Sequence, residues 1–314
     1  MDSDWLNNID LLNKCLPLYN INRFKNDVIE RSDSYFKSLN TLYGEYYHYR
    51  KSINKLTSFE ISKSEPRERN SFSELCLQAF SKEEKLKIIK SKSLADLICL
   101  KPLIVNEKMR RNDPSYNPSI ITSEVRKKFS IEHQDLIECF KKYEKNEIGI
   151  LKVIISITKL LYVIRSNIVH SEKTPKGPDI EKRVRDEIVC KVVLNFLELF
   201  FDILFNYPNN RLAVYGTLAP GGLNNIVLSK IIDNPHSEFN GIVYGKVRIK
   251  NNLPFFNWHS GIDEIGVFVY ESNFLPGDFK NIDRFEGKLY TRILVPIKIG
   301  LKFLIGNIYS ENIS

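Results

Sequence analysis

The stretch Leu212-Ala213-Val214-Tyr215-Gly216-Thr217-Leu218-Ala219-Pro220-Gly221-Gly222-Leu223-Asn224 divides this chain into two parts and decides its architecture. An apolar, strand-type run stops in a loop rich in glycine and proline, which frees backbone N–H groups from sheet pairing. Such a loop can cradle an anion. Sequence before it reads as helix and sequence after it reads mostly as strand. The expected fold class is therefore α+β with two domains: an all-α bundle over 1–206, irregular near 100–123, and a small mixed β-barrel over 211–314.

The length of 314 residues suits two cores, and 43% hydrophobic with 27% charged residues supplies apolar surface to bury. Asp2, Asp4, Asn7, Asn8 and Asp10 interrupt any apolar leader, so no signal peptide is expected. Lys152, Lys159 and Arg165 break the apolar run Ile148–Ile168, and Lys191, Glu198 and Asp202 break Ile188–Tyr207. Both read as helices buried on one side, with no membrane partner. The five cysteines, Cys15, Cys76, Cys99, Cys139 and Cys190, are scattered without metal-type spacing. They point to reduced thiols in a cytoplasmic protein, with no metal and no cofactor.

The formal net charge is +8. Basic clusters at Arg67 with Arg69, Lys85–Lys92, Lys108–Arg111 and Arg126–Lys128 would attract a polyanion such as RNA, or form solvated faces.

In the helical part, Leu39, Leu42, Tyr43, Tyr46 and Tyr47 recur at helical spacing, and Ser81 with Glu84 has capping-box spacing. Helix signals over Ser123–Tyr143 lead to a stripe of Ile150, Val153, Ile154, Ile157, Leu160, Leu161 and Ile164. The breaker around Pro175–Pro178 precedes a last helix, with Asp179 as N-cap and Val184, Ile188, Val192, Phe196 and Phe200 on its buried face.

The stripe runs into Arg165-Ser166-Asn167-Ile168-Val169-His170. Five positions rotate about 140° on an ideal helix, so Arg165 and His170 converge only if the helix ends or loosens between them. A fixed cation and a near-neutral imidazole suit RNA cleavage by its own 2′-hydroxyl without metal. The alternative is a histidine capping a helix end and an arginine paired with a neighbouring carboxylate.

This pattern resembles the Apea-like branch of the HEPN superfamily, all-α bundles whose catalytic members are metal-independent ribonucleases acting as dimers. The resemblance implies Arg165 and His170 as catalytic, Asn167 as helper, RNA as partner and a homodimer through the helical domain. By analogy it also suggests a toxin–antitoxin or antiviral defence role.

Beyond Arg211, strand-type runs at Leu212–Tyr215, Phe239–Ile249, Gly266–Tyr270, Tyr290–Ile299 and Leu301–Ile308 suggest a compact barrel with few helices. Between them lies Asp283-Arg284-Phe285-Glu286-Gly287-Lys288-Leu289-Tyr290-Thr291-Arg292, read as a turn whose acid can face a cavity. Glu286 is either a proton carrier or an ordinary cap or partner of Arg284 or Arg292. Trp258 and His259 read as core or rim.

Tyr215–Leu218 with Ala219-Pro220-Gly221, then Gly241–Val247, Leu275-Pro276, Asp283–Gly287 and Tyr290-Thr291-Arg292 together resemble the gamma-glutamyl cyclotransferase-like superfamily. That resemblance implies a lyase that releases 5-oxoproline from a gamma-glutamyl amine. Tyr215, Gly216, Thr217, Leu218 and Tyr290 would bind the small gamma-glutamyl-type ligand, and Glu286 would be the catalytic acid/base. In the alternative reading the helical domain is a ribonuclease effector and the barrel senses or modifies a small ligand.

Overall fold

The computed structural model describes residues 4–56, 68–100, 131–170, 180–232, 237–258 and 263–312. Two compact units emerge from its internal contacts. The first joins 1–5 to 17–200 and the second joins 6–16 to 201–314. Asn7 shows why the early segment goes with the second unit: its side chain donates to the Leu301 carbonyl at 2.9 Å and accepts from the Phe303 N–H at 2.7 Å.

The first unit is helical. Its described elements include α2 (Val28–Ser52), α3 (Glu68–Gln78), α4 (Lys82–Ile89), α5 (Lys92–Cys99), α6 (Ile131–Glu144), α7 (Ile150–His170) and most of α8 (Ile180–Leu204). Helix α1 (Ile9–Asn20) carries Pro17, where the two units divide.

The Ser81–Glu84 capping box forms, with both reciprocal bonds present. It satisfies two of the orphan amides at the start of α4. The tyrosine-rich face of α2 is buried at Leu39, Leu42, Tyr43, Tyr46 and Tyr47, and the α7 stripe is buried from Val153 to Ile164. Lys85, expected among solvent-facing cations, is instead buried and donates to the Leu77 and Phe80 carbonyls at 2.6 and 2.7 Å. Desolvation lowers its pKa. The clusters Lys108–Arg111 and Arg126–Lys128, Arg67, the breaker at 175–178 and Asp179 lie outside the described residues.

Helix α8 differs from expectation. Phe196 and Phe200 are buried, but Val184 and Ile188 are 47% and 44% exposed. A row of residues four apart drifts about 40° per step, roughly 160° over Val184–Phe200, so it cannot hold one face. The buried side is carried by Val189, Val193, Phe196, Leu197, Phe200 and Phe201.

The second unit is a closed mixed barrel. Strands β1 (Arg211–Val214), β2 (Ser237–Lys250), β3 (Leu253–Asn257), β4 (Asp263–Glu271), β5 (Tyr290–Ile299) and β6 (Lys302–Glu311) pair in the order β3-β2-β4-β1-β6-β5. A further β2–β5 pairing at Ile242 and Lys298 closes five of them, leaving β3 as a flap on β2. Only β1–β6 is parallel.

Two helices were not expected within this region. They are α9 (Asn225–Ile231) and α10 (Leu275–Glu286). Leu275, Phe279 and Ile282, one face of α10, pack with Leu212, Val214, Leu228 and Tyr309 in a core outside the barrel wall. So Asp283 and Glu286, read from sequence as part of a turn, sit in the last turn of a helix. Among the described residues no helix is long and apolar enough to cross a membrane.

Candidate active site

The loop after β1 makes one short 3-10 turn over Gly216–Leu218. Gly216 has φ +61°, and a Cβ there would lie 2.7 Å from Pro254 Cγ, so both conformation and space demand glycine. The amides of Gly216, Thr217 and Leu218 have no hydrogen-bond partner among the described residues. Two asparagines hold the loop. Asn224 donates its backbone N–H to the Thr217 carbonyl at 2.9 Å and its side-chain amide to the Thr217 hydroxyl at 3.3 Å. Asn225 bridges the Leu218 carbonyl and the Tyr270 hydroxyl at 3.0 and 2.9 Å.

Facing the loop, β3 lacks a strand on its outer edge and is bonded there by side-chain hydroxyls. Tyr215 accepts from the Phe256 N–H at 2.9 Å and donates to the Tyr309 carbonyl at 3.0 Å. Tyr290 donates to the Pro254 carbonyl at 3.0 Å, and Ser310 donates to the Phe256 carbonyl at 2.9 Å. The Tyr290 ring stacks on Phe255 at 4.9 Å. Burial, above all, raises the Tyr215 phenol's pKa, so it stays a neutral donor.

The third wall is the end of α10. Gly287, with φ +68°, closes the helix through its N–H to the Asp283 carbonyl, which leaves Glu286 on the final turn. Arg292 grips Asp283 with two bonds of 2.9 and 3.2 Å, lies 3.7 Å over the Phe279 ring and donates to Asn307 at 3.2 Å. Tyr309 donates its hydroxyl to Asp283 at 2.6 Å. Arg292 therefore pairs with Asp283, and no hydrogen-bond partner of the Glu286 carboxylate appears among the described residues. Burial, reinforced by the Asp283 charge, pushes Glu286 up to about 7.

These walls enclose a pocket of about 170 Å³. Its lining brings Tyr215, Thr217 and Leu218 together with Glu286 and Tyr290, and adds Pro254 and Tyr309. A carboxyl near half-ionised at neutral pH beside free amides can exchange a proton and hold an anion in one cavity.

The other expected group lies in the helical unit. Helix α7 continues unbroken through His170, so the expected loosening between Arg165 and His170 does not occur. The Arg165 guanidinium donates to the Asn40 side-chain oxygen on α2 at 3.1 Å and lies 5.9 Å over the Tyr162 ring. The side chains of Asn167 and His170 lie outside the described residues, as does His259, while Trp258 is buried. No group of histidine, cysteine and carboxylate side chains placed to hold a metal occurs among the described residues.

Sequence reading did not identify Pro254, Tyr309, Phe285, Leu289 or Asn225 as parts of the site. A usable signal existed for the β3 wall. Asn251 and Asn252 both have positive φ, the two-residue hairpin turn that asparagine favours, so a second strand should follow directly. Tyr309 carries no such signal, because its place depends on strand register.

No family model matches the chain, and no curated protein matches it. Among solved structures the chain is similar to an AIG2-like protein of Mus musculus. Identity is 18%, over 33% of this chain and 78% of the mouse chain, with a TM-score of 0.29.

Proposed function

We propose that the second unit is a gamma-glutamyl cyclotransferase-like lyase that releases 5-oxoproline from a gamma-glutamyl amide. The observation that carries this reading is the meeting of Glu286, pushed up to about 7, with the Tyr215–Leu218 loop in one pocket. In this mechanism the free amides of Gly216–Leu218 hold the substrate's carboxylate or the developing oxyanion. Glu286 takes a proton from the α-ammonium, the freed amine attacks the γ-carbonyl carbon, and the γ-amide C–N bond breaks. Two protons leave the α-nitrogen and two reach the departing nitrogen, with Glu286 as the carrier. Tyr215 and Tyr290, whose hydroxyls serve β3, act through the shape of the pocket wall.

Glu286→Gln keeps the side chain's size and removes its proton exchange. Release of 5-oxoproline from gamma-glutamyl amides should fall by about 10²-fold or more. Turnover equal to wild type would remove Glu286 from the chemistry.

A second reading concerns the helical unit: Arg165 and His170 bind or cut RNA in a homodimer, a toxin-like or defence role with the barrel as ligand sensor. Its support is the sequence pattern and an Arg165 side chain that is oriented by Asn40 yet partly exposed.

A further inference from the structure

The pocket's lining is uneven in a way that bears on what leaves it. Its floor is buried: Ala213, Val214, Leu218 and Tyr309. At its mouth the most exposed lining side chains are Phe285 and Leu289, at 43% and 55%, and the half-buried Leu253 and Pro254 face the same space. Leu223 and Ile226, 90% and 61% exposed, flank the lining residue Asn224 and extend apolar surface outward. So much exposed apolar area around a cavity marks a binding surface.

Charge sharpens the point. No lysine, arginine or histidine lines the pocket among the described residues. Glu286 is the lining carboxylate, and Glu286 and Glu311 both act on Tyr215 and Tyr290 as negative charges. The nearest organised cation, Arg292, is held by Asp283. A carboxylate on the departing group would lose water and meet no cation, a cost that an apolar group escapes.

Size completes the argument. A volume of about 170 Å³ is below the span of about 300–1,000 Å³ that holds a drug-sized ligand. It encloses one amino-acid-sized headgroup, and the rest of the substrate then lies across the apolar rim.

Resting on the lyase reading, we propose that this site selects gamma-glutamyl amides whose released amine is apolar and carries no carboxylate. The glutamyl headgroup fills the cavity, and the amine's hydrocarbon part covers Phe285, Leu289 and Leu253. Leu289 and Phe285 are then specificity-determining residues.

Three substrates test this with the full chain: the gamma-glutamyl amides of 2-phenylethylamine and of methylamine, and gamma-glutamyl-phenylalanine. The first differs from the last by one carboxylate and from the second by the apolar group. By 5-oxoproline release, kcat/KM should be about tenfold or more higher for the phenylethylamide than for either other substrate. Leu289→Arg, a change at an exposed position, should narrow the gap to gamma-glutamyl-phenylalanine by supplying a cation. Equal or faster turnover of gamma-glutamyl-phenylalanine or of the methylamide by wild type would overturn the selectivity while leaving the lyase intact. No 5-oxoproline from any of the three, at the level of a Glu286→Gln control, would overturn both.

Discussion

The barrel pocket and the Arg165–His170 segment were both legible as short motifs, yet they have different physical standing. In the barrel, residues distant in sequence meet because strand order brings them together: the loop after β1, the flap β3, the end of α10 and the start of β5 surround one cavity. In the helical unit, the two candidates lie on one unbroken helix, about 140° apart. A pocket formed by topology needs nothing outside its own unit. A pair on opposite sides of a helix needs another element, or a second copy of the chain, to complete a site.

Separate substitutions break or sharpen that contrast. The largest effects are expected on activity. Glu286→Gln should remove 5-oxoproline release and leave any RNA cleavage in EDTA unchanged, and His170→Ala should do the reverse, each by about 10²-fold or more. RNA cleavage equal in wild type and His170→Ala would dissolve the helical site. Loss of 5-oxoproline release in His170→Ala would show that the two motifs are not separate.

Arg292→Met comes next. It strips Asp283 of its two-bond partner, and because Asp283 is 40% exposed the cost is reduced to about 2 kcal/mol in a denaturant titration. The freed Asp283 charge should push Glu286 further up, shifting the pH–rate profile upward. A profile unmoved by this variant would remove Asp283 as an influence on Glu286.

The smallest effect is on stability against pH. Glu286 is raised in the folded chain from an ordinary value of 4.5 to about 7. The fold therefore binds its proton more tightly than the unfolded chain, an advantage fully present below about pH 4.5 and lost as pH rises through 7. Glu286→Gln should stabilise the protein at pH 8 by about 1–3 kcal/mol and change little at pH 4. A variant less stable than wild type at pH 8 would contradict the burial of an uncompensated carboxyl.

How much was legible depended on whether the signal was local. The α7 stripe, alternating steps of three and four, predicted its buried face, whereas the fixed four-residue row on α8 did not. Glu286 was found through its motif while its helix was missed. Pro276 and Gly277 read as breakers, although proline at the first turn is a helix-start signal and Leu275, Phe279 and Ile282 form a helical face. The roles of Tyr215 and Tyr290 as bracing for β3 could not be read from residue type, because they depend on which strand edge is left open.

The central claim, that Glu286 is the proton carrier of an assembled pocket, is tested most directly by titrating its side-chain carboxyl by carbon-13 NMR in the full chain, beside the pH dependence of kcat/KM for 5-oxoproline release. A carboxyl midpoint near 7 that coincides with a limb of the rate profile is the predicted result. A carboxyl that titrates near its ordinary value, or a rate profile without a limb near 7, would contradict it.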